Sequence, residues 1–413
     1  MNERFVPNPV TLEKLLAGPL GAHIDTFAQA LNDRGYALWT ATYSMRLLAE
    51  LGPWLEQEQL AIGDLDEVTI TGFLKARYRN HRPHRDDRKS LALFLDFLRT
   101  TGVLAPPVEH RAREPHSALL ETFRAHLVHQ RNLASETIRT YLDTVARFLQ
   151  WRFGAKSPAS LGTLCTSDIH AFMLEQARRY SAGHTQLIAS ALRGFLRFLL
   201  QRGSIDTDLA QSVPAPARHQ LADLPKFMPS EDVERLMESV DRGQPAGLRD
   251  YAILSLLARL GLRAGEVANL RLEDLDWEAG ALTIRGKSAR VERLPLPWDV
   301  GEALAHYLRD GRPTCRTRQV FICLRAPRRG FWNGAAVGTI VRRALAKAGL
   351  HPPHHGAHLL RHSLATRLLR GGASLTEIGE LLRHRNLDTT RIYAKVDEQA
   401  LRRLAPSWPG ALQ

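Results

Sequence analysis

The chain has 413 residues, 44 % hydrophobic and 24 % charged, close to the roughly 45–50 % and 25 % of soluble globular domains, so a disordered or fibrous chain is excluded and about two to four domains are expected. With 56 Lys and Arg against 43 Asp and Glu, the net charge of +13 points to a polyanion as partner. Cys165, Cys315 and Cys323 have no CxxC spacing and are odd in number, and no window reaches 18 uninterrupted apolar residues, so a disulfide framework, a zinc ribbon and a membrane span are excluded and a cytoplasmic protein is expected.

The N-terminal half contains an internal repeat, which resets the domain count. Asp25-Thr26-Phe27 matches Glu121-Thr122-Phe123, Thr42-Tyr43 matches Thr140-Tyr141, and Gly63-Asp-Leu65 matches Gly162-Thr-Leu164. Phe94-Leu-Asp-Phe-Leu98 with Gly102 then matches Phe195-Leu-Arg-Phe-Leu199 with Gly203, and the offset drifts only from 96 to 101 residues. Each copy reads as a small helical bundle. A helix from Ser135, with Ser135 as its cap, places Ile138, Leu142, Val145 and Leu149 on one face and Arg139 and Arg147 off it. The helix near residue 190 turns Leu192, Phe195, Leu196 and Leu199 inward and Arg193 and Arg197 outward.

Pro-rich, aperiodic stretches mark the boundaries. They predict an N-terminal helical domain over 1–107, suited to an extra binding or assembly role, a second helical domain over 117–205, and a third domain over 227–413, with linkers 108–116 and 206–226. The third domain opens at Ser230, which can cap a helix that Glu231 and Asp232 favour through its dipole. Most of it reads as helix. Ala281-Leu-Thr-Ile-Arg285 and Val291-Glu-Arg-Leu-Pro-Leu296 instead read as a β-hairpin with Lys287 at its turn.

Chemistry gathers in this third domain. Leu260-Gly-Leu-Arg263 places a glycine-flanked arginine at a helix start, suited to meeting a phosphate, with Glu266 one turn on to brace it. His358 and Arg361 lie three apart and share a helical face, so imidazole and guanidinium can meet one anionic group. His351, His354, His355 and His358 form a poor metal set, because Pro352 and Pro353 interrupt the helix and neither a cysteine, a carboxylate nor an HExxH motif completes it. His384 precedes Tyr393 by nine residues. A tyrosine near a charged tail is ordinarily packing. Beside two arginines, a hairpin lysine and two histidines, however, it suits metal-free phosphoryl transfer, which must neutralise nonbridging oxygens, activate a hydroxyl and protonate a leaving group.

These residues carry a resemblance to the tyrosine recombinases, the family of phage integrases, Xer-type resolvases and transposon integrases. It rests on Leu-Gly-Leu-Arg263-xx-Glu266, Gly286-Lys287, His358-xx-Arg361-His-Ser-xx-Ala-Thr and Leu-xx-His384-xxxxx-Thr-xx-Tyr393, and on the 24-, 23- and 9-residue intervals Arg263 to Lys287, Arg361 to His384 and His384 to Tyr393. Residues 117–205 resemble the family's helical core-binding domain. Leu359 departs from the pattern, since many relatives have an acid there, and so does the first repeat, which many relatives lack.

The resemblance implies a mainly α chain: two tandem helical core-binding-like domains followed by a mostly helical catalytic domain with a small antiparallel β-sheet. It implies Tyr393 as the nucleophile forming a 3′-phosphotyrosine, Arg263 and Arg361 clamping the phosphate, Lys287 as general acid, His358 managing the tyrosine proton and His384 hydrogen-bonding the phosphate. No metal or other cofactor is implied. Arg139, Arg147, Arg193, Arg197, Arg290, Arg328 and Arg329 are candidate DNA contacts, as are Arg312, Arg316, Arg318 and Arg325. The partner implied is double-stranded DNA carrying specific sites, bound by a homotetramer or a mixed assembly with related recombinases. The tail 397–404 is a candidate for docking on a neighbouring subunit. A mobile-element integrase for integration, excision or transposition is favoured. An Xer-type resolvase of replicon dimers, a type IB topoisomerase and a non-catalytic DNA-binding protein are the alternatives.

Overall fold

The computed structural model describes residues 13, 15–16, 18–105, 116–154, 161–214, 225–286, 291–384 and 389–396. The chain divides into two compact units, residues 1–106 together with 223–413, and residues 107–222. It is mainly α-helical with one small antiparallel sheet.

Residues 107–222 form a helical bundle of α5 (Ser117–His129), α6 (Ser135–Phe153), α7 (Thr166–Arg179) and α8 (Ala182–Gln201). Helix α8 begins at Ser181, whose hydroxyl accepts the His184 N–H, a side-chain cap for an otherwise orphaned donor. Leu192, Phe195, Leu196 and Leu199 fall at helical spacing and are buried against Phe123, Phe148 and Phe172. Leu142 is only half-buried, and Phe148 takes the fully buried place on α6. Ser135 lies one residue inside α6, with Ala134 at the cap position.

In the other unit, the N-terminal helices α1 (Gly21–Asp33), α2 (Leu38–Gln57), α3 (Glu67–Arg77) and α4 (Asp87–Thr100) enclose a core that includes Ile24, Phe27, Leu51, Phe73, Phe94 and Leu98. Asp66 caps α3 by accepting the Thr69 N–H at 2.7 Å.

The C-terminal part of this unit is built around α10 (Pro245–Leu260), flanked by α9 (Ser230–Glu238). Ser230 is the first residue of α9, and Pro229 occupies the cap position. Ala252, Ile253, Leu254, Leu256 and Leu257 of α10 are all fully buried, the pattern of a helix covered on every side. It packs on α12 (Trp298–His306), α13 (Ala335–Lys347) and α14 (His358–Arg370). Between the short α11 (Ala264–Asn269) and α12 lies the sheet β1 (Leu275–Asp276), β2 (Ala281–Arg285) and β3 (Val291–Pro295), antiparallel in that order. Ala281 pairs with Pro295 and Arg285 with Val291, so the hairpin register is set and Leu282 and Ile284 point to the core. β1 carries no sequence signal of its own, since two residues are too few for a pattern. The hairpin turn with Lys287 and Arg290, and the tail from 397, lie outside the described residues. Helix α15 (Leu375–Leu381) and a 3₁₀ segment (Arg391–Val396) close the chain around a small core of Leu364, Ala365, Leu369, Ile378, Leu382 and Tyr393.

Candidate active site

The site forms where the end of α10, the start of α11, one face of α14 and the end of α15 converge. Helix α10 ends on Gly261 at φ +60°, and a Cβ there would lie 2.7 Å from Leu382 and 3.0 Å from Leu364. Glycine is therefore required twice over, by the left-handed turn and by the close approach. The turn delivers Arg263 to the cap position of α11, where Glu266 accepts its backbone N–H at 2.8 Å and its guanidinium at 2.7 Å. A second guanidinium nitrogen of Arg263 reaches the Arg383 carbonyl at 3.2 Å.

Arg361, on the first turn of α14, is only 3 % exposed. Its two terminal nitrogens donate to the Gly261 and Leu382 carbonyls. Both arginines thus hold consecutive carbonyls, Leu382 and Arg383, immediately before His384. A guanidinium has five N–H donors in one plane, so this anchoring leaves donors free for an anion. Arg263 is 40 % exposed, and so presents the open side of the pair.

His384 follows a residue in the left-handed region, Arg383 at φ +55°, a conformation costly for a side chain with a Cβ. Arg383 is held there by its own buried side chain, which donates to Glu266 at 2.9 Å and to the Leu381 carbonyl at 3.2 Å and pairs with Glu292 of β3 at 3.5 Å. Glu266 therefore joins two arginines. Burial acts to raise its carboxyl, but the Arg263 N–H and the charges of Arg383 and Arg263 outweigh this and hold it below the ordinary carboxylate range.

His384 Nδ1 meets the Thr390 hydroxyl at 2.8 Å, and the Thr390 carbonyl accepts the Tyr393 N–H at 3.0 Å, so one buried threonine ties the histidine to the tyrosine. Tyr393 is 1 % exposed, and burial pushes its phenol up to about 12 although Arg361 acts to lower it. Its hydroxyl lies 2.8 Å from His362 Nδ1. Burial, reinforced by His358, Arg361 and His354, brings His362 down to about 4. The ring is thus neutral near pH 7, with its Nδ1 within hydrogen-bond distance of the phenol.

His362 went unassigned in the sequence, where it reads only as the residue after Arg361. The signal that finds it is helical: it is one position from Arg361 and four from His358, whose ring centroid is 6.5 Å away. The Tyr393 proton, assigned to His358 by resemblance, faces His362 instead. His358 opens α14 on the exposed side, and its imidazole is held below its usual value by the protein packed around it and by Arg361 and Arg263. Leu359, in place of an acid, is buried in the core. Among the described residues no three His, Cys, Asp or Glu side chains could hold a metal ion.

Residues 226–400 match the model of the phage integrase family, and residues 120–203 match the model of the phage integrase N-terminal SAM-like domain. The putative integrase/recombinase y4rA of Sinorhizobium fredii is 41 % identical over 99 % of this chain and 99 % of its own. The tyrosine recombinase XerD of Listeria monocytogenes is 33 % identical over 69 % of this chain and 96 % of its own. The chain belongs to the phage integrase family of tyrosine recombinases. It is therefore an enzyme of the DNA breaking and rejoining class. The fold agrees: the recombinase resembles XerH in a post-cleavage complex with a palindromic difH substrate, with TM-score 0.53, 23 % identity and coverage of 70 % of this chain and 84 % of that one. It also resembles the Tn1549 transposon integrase in complex with circular intermediate DNA, with TM-score 0.50, 16 % identity and coverage of 69 % and 99 %.

The arginines singled out as DNA contacts divide into two groups. Arg139, Arg147 and Arg197 are exposed in the recombinase's SAM-like bundle, although Arg139 pairs with Glu136 and Arg147 donates to the Tyr180 hydroxyl at 3.0 Å. Arg325 is exposed, as is Arg329, which lies over the Trp332 ring. The others have partners within the chain, and of these only Arg316 and Arg318 are exposed. Arg193, expected outward, is half-buried and donates to the Val213 carbonyl at 2.7 Å. Arg312 spans the carbonyls of Thr317, Gln319 and Val320. Arg316 pairs with Asp33 at 2.6 Å and Arg318 with Glu273 at 3.3 Å. Arg328 is half-buried against Gly35, and its backbone N–H donates to the Arg34 carbonyl at 2.7 Å. Backbone carbonyls recruit the Arg193 and Arg312 guanidinium groups, a demand that charge counting in the sequence does not reveal.

One consequence concerns pH. Burial, with the charges of Arg361 and Arg263, also lowers His384 to about 4. Between pH 4 and the ordinary histidine value of about 6.5, the unfolded chain binds protons at His362 and His384 that the folded protein refuses. Their contribution to stability is complete above about pH 6.5 and is lost as pH falls toward 4. Thermal unfolding should therefore occur at lower temperature at pH 5 than at pH 7.5, with a smaller difference in His362→Gln. The same pH dependence in wild type and variant would contradict the buried neutral ring.

Proposed function

We propose that this protein is a site-specific DNA recombinase in which Tyr393 attacks a phosphodiester and forms a 3′-phosphotyrosine bond, releasing a 5′-hydroxyl. The observation that carries this reading is the Tyr393 hydroxyl on His362 Nδ1 beside two arginines tied to the turn leading into His384. The Tyr393 proton passes to His362. Arg263 and Arg361 neutralise the nonbridging oxygens as charge builds on phosphorus, the largest electrostatic demand of the step. His384 donates to the same phosphate from Nε2, its Nδ1 being held by Thr390. Lys287 protonates the departing 5′-oxygen.

One phosphoester replaces another, so the energy of the broken bond is retained and a 5′-hydroxyl from a partner strand reverses the step without ATP or metal. Exchange between two duplexes calls for four active sites, hence a homotetramer or a mixed assembly on DNA. The full-length relatives named integrase/recombinase favour mobile-element integration, excision or transposition. The XerD relatives keep resolution of replicon dimers as the second reading.

A nicked duplex carrying the ends of the element that encodes the chain tests the proposal. The 5′-hydroxyl fragment diffuses away after cleavage, so the covalent complex should accumulate, survive denaturation and map to Tyr393 by peptide analysis. Binding without any adduct would overturn catalysis. Relaxation of plasmids lacking the site, with no recombinants from paired sites, would point to a topoisomerase.

A further inference from the structure

Helix α15 ends in a turn that a glycine would satisfy, and the protein places an arginine there. The Arg383 N–H donates to the Glu380 carbonyl and the His384 N–H to the Gly379 carbonyl, both at 2.9 Å, the two bonds that close a helix end on a left-handed residue. That residue is Arg383, at φ +55°, and glycine adopts this conformation without steric cost. The backbone by itself gives no reason for a side chain at this position.

The side chain is nevertheless buried, with only 5 % of it exposed. Its nitrogens reach in three directions: Nη1 donates to the Leu381 carbonyl at 3.2 Å, Nη2 donates to Glu266 of α11 at 2.9 Å, and Nε faces Glu292 of β3 at 3.5 Å, an ion pair without hydrogen-bond geometry. Glu292 is half-buried and stands opposite Ile284, a core residue, so its carboxylate lies on the inward face of the sheet. A carboxylate on that face calls for a cation. Repulsion opposes the arrangement, because Arg263 shares Glu266 and Arg361 is close enough for Arg383 to depress its guanidinium. A long side chain able to extend into solvent stays among like charges only where paired carboxylates outweigh them.

The consequence is positional. Arg361 and Arg263 donate to the carbonyls of Leu382 and Arg383, and His384 follows directly. The Arg383 side chain attaches that same short turn to α11 and to β3, two elements far upstream in the chain.

We infer that Arg383 is a positioning residue for the cleavage step: its guanidinium, seated between Glu266 and Glu292, locks β3 to the turn before His384 and so fixes where His384, Arg263 and Arg361 meet the phosphate. It acts through those three residues rather than on the DNA. The inference rests on the recombinase reading for its effect on cleavage, whereas the lock itself is measurable without DNA.

Glycine is the informative replacement, since it keeps the left-handed turn and removes only the lock. In full-length Arg383→Gly the rate of adduct formation on the nicked duplex at saturating DNA should fall by about 10²-fold, the scale of misplaced reacting groups. The DNA concentration giving half that rate should stay within about twofold. Glu292→Gln should slow the reaction in the same way but by less, because Arg383 keeps its bond to Glu266. The double variant should be no slower than Arg383→Gly alone, as one lock is lost only once. Without DNA, amides of β2 and β3 should exchange hydrogen about tenfold faster or more in Arg383→Gly, the scale of a lost charged hydrogen bond, while α10 keeps its protection.

A wild-type rate in Arg383→Gly would overturn the inference and leave the residue serving its turn alone. Losses that multiply in the double variant would overturn the link through Glu292, and a raised half-saturating concentration with an unchanged maximal rate would make Arg383 a source of attraction for DNA instead. If Arg383→Gly does not fold, Glu292→Gln decides: a slower rate with faster sheet exchange supports the lock, and wild-type values of both overturn it. If even the wild type forms no adduct, the recombinase reading fails, and exchange in β2 and β3 still shows whether the lock stands or falls.

Discussion

Tyr393→Phe should abolish the covalent protein–DNA adduct while leaving site binding within about twofold. The phenyl ring occupies the same space among Leu364, Ala365, Leu369, Ile378 and Leu382, so packing is kept. What disappears is the hydroxyl and its bond to His362, a loss of about 0.5–1.5 kcal/mol in stability. Removing a nucleophile costs far more in rate, on the order of 10⁶ where it has been dissected in a hydrolase. No other hydroxyl in the described site occupies its position, since Thr390 is turned to His384. Denaturing electrophoresis of a nicked-substrate reaction separates the outcomes. An adduct at the wild-type rate in the variant would remove Tyr393 from the mechanism.

The parts of this site that could be read from the sequence are those whose chemistry is visible at short spacing. Arg263 follows a glycine turn, Arg361 lies one turn after His358, and Tyr393 follows His384 at a fixed interval. Local helix geometry converts each spacing into a shared face or a shared corner. The repeat was legible for the same reason, because buried Phe94 and Phe195 recur at helical periodicity. Burial and backbone handedness were less accessible. Nothing in Leu-Leu-Arg-His announces that Arg383 adopts φ +55° and plugs its guanidinium between Glu266 and Glu292, because both carboxylates arrive from elements more than 90 residues upstream. His362 was hidden by its neighbours, since a histidine between an arginine and a serine has no periodicity of its own. Arg193, Arg312 and Arg328 carry the charge of DNA contacts but fold back onto carbonyls or the chain's own surface, which depends on where turns leave acceptors unsatisfied.

Arg361→Lys should slow adduct formation by about 10³, the scale of losing a preorganised donor or an arginine from a phosphoryl-transfer site. Arg361 has two tasks. Its terminal nitrogens bind the Gly261 and Leu382 carbonyls, which fixes the α10 turn against the residues leading to His384, and under the proposed mechanism its remaining donors serve the phosphate. Lysine keeps the charge but replaces a planar five-donor fork with a single ammonium, which cannot satisfy two carbonyls and an anion in fixed directions. The arrangement of charges also strains this residue. Burial, with repulsion from Arg263 and Arg383, lowers its guanidinium to about 10, and Glu266 offsets only part of that. A bound phosphate relieves the repulsion, so DNA should raise the unfolding temperature of the wild-type protein, and by less in Arg361→Lys. Comparing adduct rate and DNA-induced stabilisation in the same variant distinguishes the two tasks. A loss of rate with full stabilisation by DNA would assign Arg361 to the transition state alone, and a rate within tenfold of wild type would remove it from the clamp.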